Sequence, residues 1–163
     1  MHKGWKRAAL LGAALAWLGI AAGTARATDV EVPTSEAVEH RHHLDLFLGN
    51  THTEDDENAF SLGVGYEYRL TQFFGIGVLG EYAIKDIDAW VVGVPLAIHP
   101  GSGWRLVVMP GLELHDGDSE FLLRTGVGYE FEVGRYTVMP EFNADFVDDE
   151  VNYVFGVGLG VKF

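Results

Sequence analysis

The residues with the most chemistry to offer are charges placed between apolar neighbours along the second half and middle of the chain. Glu67, Arg105, Glu113, Glu130, Glu141 and Asp145 are each flanked by apolar or aromatic residues, and Arg124 by Leu123 and Thr125, so in an extended backbone they point away from those neighbours. If that shared face is enclosed, each charge is tolerable only when paired and hydrogen-bonded. A two-residue turn at Gly134-Arg135 pairs Val133 with Tyr136, and the same register sets Arg124 opposite Asp145. With Glu113 diagonal on the preceding strand, Arg124 becomes the hub of a carboxylate cluster that plugs the interior. The alternative for the same residues is a polar, water-filled conduction path, a narrow porin-like channel for small solutes.

Other side chains suggest other chemistries. His40, His42 and His43, with Glu39, carry imidazoles suited to Zn²⁺, Ni²⁺ or Cu²⁺. No tetrahedral set is spaced out by the sequence, and a solvated lead segment is the reading adopted, with no metal site and no cofactor assigned. His52 and His115 neighbour the acidic runs Glu54 to Glu57 and Asp116 to Glu120, where divalent cations could bridge to anionic lipid phosphates. Lipid A-modifying chemistry needs a Ser, a His and an acid together. Ser61, Ser102 and Ser119 have no strand-anchored His except His99 near Ser102, so the chain is read as no enzyme. The Gly-x-Gly repeats open no helix and form no phosphate loop.

Two kinds of element must position these residues. The first is a leader: Lys3, Lys6 and Arg7, an apolar run from Ala8 to Ala22, and Ala25-Arg26-Ala27, a small-x-small site, read as a signal peptide over residues 1–27 cleaved near Ala27. The whole chain carries a formal net charge of −13 and no cysteine. Part of its basic charge lies in the leader, so the mature chain is more acidic still, which excludes nucleic acid as a partner, while the lack of cysteine excludes any disulfide framework.

The second kind is the strand. From Val151 to Phe163 large apolar residues alternate with small or polar ones, long enough to cross a bilayer tilted. The same period of two gives strands near 43–50, 58–70, 73–85, 87–99, 104–115, 120–133, 136–146 and 151–163, after a periplasmic lead at 28–42. Connections poor in charge (Leu70 to Phe73, His99 to Gly103, Gly134-Arg135) alternate with acidic ones (Asn50 to Asn58, Lys85 to Asp88, His115 to Glu120, Val147 to Glu150). That is the pattern of an all-β, antiparallel up-and-down eight-stranded transmembrane β-barrel over residues 43–163. Glycine decides which face is inside. Gly63, Gly65, Gly75, Gly77, Gly126, Gly128, Gly156, Gly158 and Gly160 share the polar face, as a narrow lumen requires and a water-facing sheet does not. Aromatics such as Tyr66, Trp104, Tyr129 and Tyr136, and at the other end Phe60, Trp90, Phe121 and Tyr153, suit two interfacial girdles. Pro95, Pro110 and Pro140 fall inside strands and need local accommodation.

With its leader, eight strands, short turns opposite acidic loops and terminal Val161-Lys162-Phe163, the chain resembles the small outer-membrane β-barrel proteins of Gram-negative bacteria, the OmpA/OmpX type. The resemblance implies residence in the cell outer membrane, contact with its lipid and lipopolysaccharide, and a monomer. It also implies recognition by the barrel assembly machinery through Phe163 and the alternate apolar residues before it, among them Val161 and Tyr153. The resulting expectation is an integral barrel with a structural or surface-interaction role and a side-chain-filled lumen.

Overall fold

The computed structural model describes residues 40–53, 57–84, 87–148 and 150–163. The leader, most of the lead segment, Lys85 and the tip of the first acidic loop lie outside the described residues. Ten hydrogen-bonded segments follow one another: β1 (His42–His52), β2 (Asn58–Arg69), β3 (Phe74–Ile84), β4 (Ala89–Gly93), β5 (Leu96–Gly101), β6 (Trp104–His115), β7 (Asp118–Tyr129), β8 (Phe131–Val133), β9 (Tyr136–Val147) and β10 (Glu150–Lys162). All pairings are antiparallel; β4 and β5 both lie between β3 and β6, β7 and β8 both pair with β9, and β10 pairs with β1 from His43↔Lys162 to His52↔Tyr153. Because β4 with β5, and β7 with β8, are each one stave interrupted once, the sheet is a closed barrel of eight staves.

The interruptions have local causes. Pro95 has no N–H to give to the ladder, and the stave breaks at Val94-Pro95. The flanking pairs Gly93↔Gly111 and Leu96↔Val108 put Pro110 opposite that break, where its carbonyl accepts from Val94 N at 3.0 Å. The donors missing at Pro95 and Pro110 therefore fall at neighbouring places, and one irregularity accommodates both. Pro140 stays within β9, paired with Val157, with its ring outward. The second interruption, at Glu130, leaves Glu130 N bonded to Gly103 O at 2.7 Å.

Turn chemistry closes both ends. Asp116-Gly117 joins β6 to β7 with positive φ at both residues (52° and 91°), the geometry of a two-residue hairpin loop, and Gly134 (φ 65°) opens the turn before β9. The three short turns and both barrel ends, His42 and Phe163, lie on one rim. The acidic connections lie on the other.

The expected division of faces is the observed one. Along β10, Asn152, Val154, Gly158 and Gly160 are buried while Tyr153, Phe155, Val157 and Leu159 are exposed. Large apolar residues cover the outer wall, with Val64 55% and Val78 58% exposed, a surface that only lipid can cover without large hydration cost. Aromatic side chains gather near the rims: Trp104 on Tyr129 and Tyr129 on Phe131 at one end, Tyr82 on Trp90 at the other.

Candidate functional site

The lumen is built from large side chains laid over glycines on the neighbouring staves. Phe47 projects inward between Gly63 and Gly158, Asp45 between Gly65 and Gly160, and Glu141 between Gly128 and Gly156. A Cβ on Gly65 would stand 2.7 Å from the Asp45 carboxylate, and one on Gly93 would stand 2.8 Å from Met109. The glycines thus give the lumen its polar and bulky contents room inside a narrow barrel.

Arg124 is the centre of this interior. Its guanidinium donates from Nε and Nη2 to the two oxygens of Asp145 at 2.6 and 2.7 Å, and from Nη1 to Glu81 at 2.6 Å. All three residues are at most 3% exposed. The register sets Arg124 directly across from Asp145, as the turn at Gly134-Arg135 requires. Glu113 is not the second carboxylate. Met109 stands opposite Arg124 on β6, and Glu113 lies further toward the acidic rim, facing Glu120. The second partner is Glu81, which reaches Arg124 from β3 across the lumen rather than from an adjacent stave.

A second cluster fills the end near the short turns. Glu67 accepts from Arg105 Nε at 3.0 Å, lies 2.7 Å from His99 Nε2 and 3.3 Å from Arg69 Nε. Arg69 also bonds Glu130 at 3.1 Å, and the Lys162 ammonium rests against Glu130 and Glu132. Glu132 stands at the rim with its side chain 61% exposed. Glu141 lies 3.9 Å from Arg105 Nη1. Around Arg124, Val91, Val107, Met109, Leu122 and Val147 form an apolar cluster against Leu79, with Leu122 and Val147 on its acidic-rim side. Between the clusters the lumen keeps a cavity of about 30 Å³, lined in part by Asp45, Phe47, Glu81, Arg105 and Arg124. That is room for a few waters, since one water takes roughly 10–15 Å³ on this measure.

The histidines separate. His42 faces outward, bonded to Tyr66 OH at 2.7 Å and stacked on Phe163 with ring centroids 5.4 Å apart. His43, on the next residue of the strand, points into the lumen and bonds Thr137 Oγ1 at 2.8 Å. The lead therefore ends before these two residues, and they do not converge on one metal. Ser61 is buried against Thr51 Oγ1 at 2.6 Å, and His99 serves Glu67 instead of Ser102. Phe163 is tied to the barrel seam through His42 by backbone bonds of 3.0 and 2.9 Å. Val161 and Tyr153 face outward on the same strand.

Sequence reasoning missed Glu81 as Arg124's partner, Phe47 as a lumen residue and His99 as a partner of Glu67. A signal existed for Phe47, since it lies at the same parity as Asp45 and His43 on β1.

No protein-family model matches the chain, and no curated protein sequence does. Solved structures do. The outer-membrane protein Ail of Yersinia pestis in a phospholipid nanodisc superposes with a TM-score of 0.53 at 13% identity, covering 77% of this chain and 100% of Ail. The N-terminal β-barrel domain of Pseudomonas aeruginosa OprF gives 0.53 at 14% identity, with 77% and 100% covered. A de novo designed transmembrane β-barrel gives 0.52 at 14% identity, with 74% and 95% covered. The fold is that of a small outer-membrane β-barrel. At these identities the likeness extends to architecture and stops there. The designed barrel shares the architecture too, so eight staves with an apolar wall carry no function of their own.

Proposed function

We propose that the chain is an integral protein of the cell outer membrane whose lumen is a structural plug and whose work is done at its outer surface, with no catalytic role. The observation that carries this reading is Arg124, buried and holding Asp145 and Glu81 at once in the middle of the barrel. A guanidinium fixed by three hydrogen bonds, next to an apolar layer, blocks the axis to ions and supplies the pairing that buried carboxylates require. The leader at residues 1–27 would deliver the chain for cleavage near Ala27. Phe163, Val161 and Tyr153 would present the terminal strand to the barrel assembly machinery before closure.

In this orientation the acidic rim faces outward, with Asp88, Asp116, Asp118, Glu120, Asp148 and Glu150 around it. Divalent cations there would link the loops to lipopolysaccharide phosphates. One solved structure of Ail holds the heparin analogue sucrose octasulfate, at a TM-score of 0.52 and 14% identity. An acidic rim repels such a polyanion, so the external ligand of this chain differs in charge. The test is conductance in planar bilayers: wild type is expected to be electrically silent. Steady single-channel currents would replace the plug with the narrow solute channel.

A further inference from the structure

The outer wall is not uniformly convex. Over the seam where β10 meets β1, a groove of about 570 Å³ runs between Leu44, Leu46, Tyr136, Val138, Leu159 and Val161. It lies on the lipid-facing side near the short-turn rim. Beside the groove, against its wall residue Tyr136, stands Arg135, exposed, with its guanidinium carbon 5.2 Å from the centre of the Tyr136 ring and Nη2 bonded to Tyr136 OH at 3.2 Å. The turn is held to the seam because Lys162 N bonds Arg135 O at 2.7 Å. Among the described residues no carboxylate pairs with Arg135, so most of its donors face outward from a fixed position. An apolar groove with a cation beside it has the charge and polarity sequence of an anionic phospholipid read from tail to phosphate.

A second groove serves as an internal control. It has about 460 Å³ and lies among Trp104, Val127, Phe142, Phe155 and Val157, under β6, β7, β9 and β10. Its β9 wall starts at Pro140, five residues beyond Arg135, and no cation is among the residues that line it. Apolar shape is common to both grooves and no cation lines either, but among the described residues only the seam groove has a wall residue, Tyr136, stacked against a guanidinium.

We propose that the seam groove is a binding site for an anionic glycerophospholipid of the periplasmic leaflet, its acyl chain along Leu159 and Val138 and its phosphate on Arg135. The site rests on the membrane reading above and adds a headgroup preference to it. The test uses the full mature chain in nanodiscs of phosphatidylcholine containing a minor fraction of either phosphatidylglycerol or phosphatidylcholine with a photoactivatable acyl chain, followed by mapping of labelled peptides. Phosphatidylglycerol is expected to label the seam around Tyr136 to Val138 and Leu159 to Val161 about fivefold more than phosphatidylcholine, the worth of one surface cation. Arg135→Gln should bring the two lipids to parity there, Arg135→Lys should keep most of the preference, and the second groove should label equally with both lipids throughout. Equal labelling of the wild-type seam, absence of lipid labelling there, or a preference that survives Arg135→Gln would each overturn the site while leaving the membrane barrel standing. A chain that refuses to enter nanodiscs at all overturns both.

Discussion

The middle of the lumen and the outer rim are both rich in carboxylates, and they treat them in opposite ways. At Arg124 two acids from β9 and β3 converge on one guanidinium at 2.6 to 2.7 Å with almost no exposure to water. At the rim Glu113 faces Glu120 directly across the β6–β7 hairpin, with Asp116 in the turn between them and Asp118 directly after it. Like charges opposite one another weaken a strand pair, and only solvent keeps that cost small. The difference teaches where specificity is stored. Inside, pairing is compulsory, and it fixes which staves meet across the barrel. Outside, repulsion is tolerated because water or an external cation can answer it.

The sharpest way to break this comparison is at the hub. Arg124→Ala leaves Asp145 and Glu81 without their cation beside a cavity with room for only a few waters, at a cost of about 3–5 kcal/mol for a buried pair broken from one side. Urea unfolding in detergent micelles or bilayers should show the loss at neutral pH. Lowering the pH removes the unpaired charge and should narrow the gap between mutant and wild type. An unchanged midpoint in Arg124→Ala, together with steady wild-type conductance, would mean that water reaches the cluster and that the middle of the lumen behaves like the rim.

A somewhat smaller effect is expected on the wall that separates both regions from lipid. Val157 lies outward at mid-strand on β10, and Val157→Arg should cost about 2–4 kcal/mol, the toll for a cation near the bilayer midplane. Measured beside a charge introduced into an acidic loop, it separates depth from charge. Equal folding of both variants into bilayers would remove the lipid-facing assignment.

Glycine filling can be probed by overpacking. Gly65→Val places methyl groups where the Asp45 carboxylate now lies, and forcing volume into a packed interior costs roughly 1–3 kcal/mol. Thermal unfolding of Gly65→Val should fall measurably below wild type. If it does not, the lumen is looser than the 30 Å³ cavity implies.

Much of this was legible in the sequence, and what was not has a physical reason. A period of two is a local property, so parity put Gly158 and Val157 on opposite faces, and the shared face of the glycines said which one is inward. Turn length fixes register, so Gly134-Arg135 sufficed to set Arg124 across from Asp145. Contacts across the lumen are different, because they depend on how the sheet tilts and staggers on closure. Glu81 and Arg124 sit on staves that are not neighbours, and no spacing along the chain encodes their meeting. Glu113 was the nearer choice in sequence and lies at the wrong height in the barrel. The same holds for His99, whose sequence neighbour is Ser102 and whose partner, Glu67, comes from β2. The Pro95 break was foreshadowed by residue type, whereas its alignment with Pro110 needed the register of β4 and β5 against β6.

The smallest expected effect lies at the rim, and it tests whether the repulsion there is real and answerable. Glu120→Lys converts the Glu113–Glu120 pair into an opposite-charge pair without touching the hub. A cross-strand ion pair of this kind is worth about 0.2–1 kcal/mol, so the unfolding midpoint should rise slightly at low salt. The two signs of effect are then opposed: removing a charge in the lumen destabilises, while reversing one at the rim stabilises. Because the pair is partly solvated, high salt should erase the gain, whereas the Arg124→Ala loss, shielded by the wall, should persist. Added Mg²⁺ should also stabilise wild type more than Glu120→Lys if divalent cations answer the rim carboxylates. A gain that survives molar salt would place Glu113 and Glu120 in a desolvated site. No gain at any salt, with an unchanged response to Mg²⁺, would mean that the rim carboxylates are independent of one another and of cations.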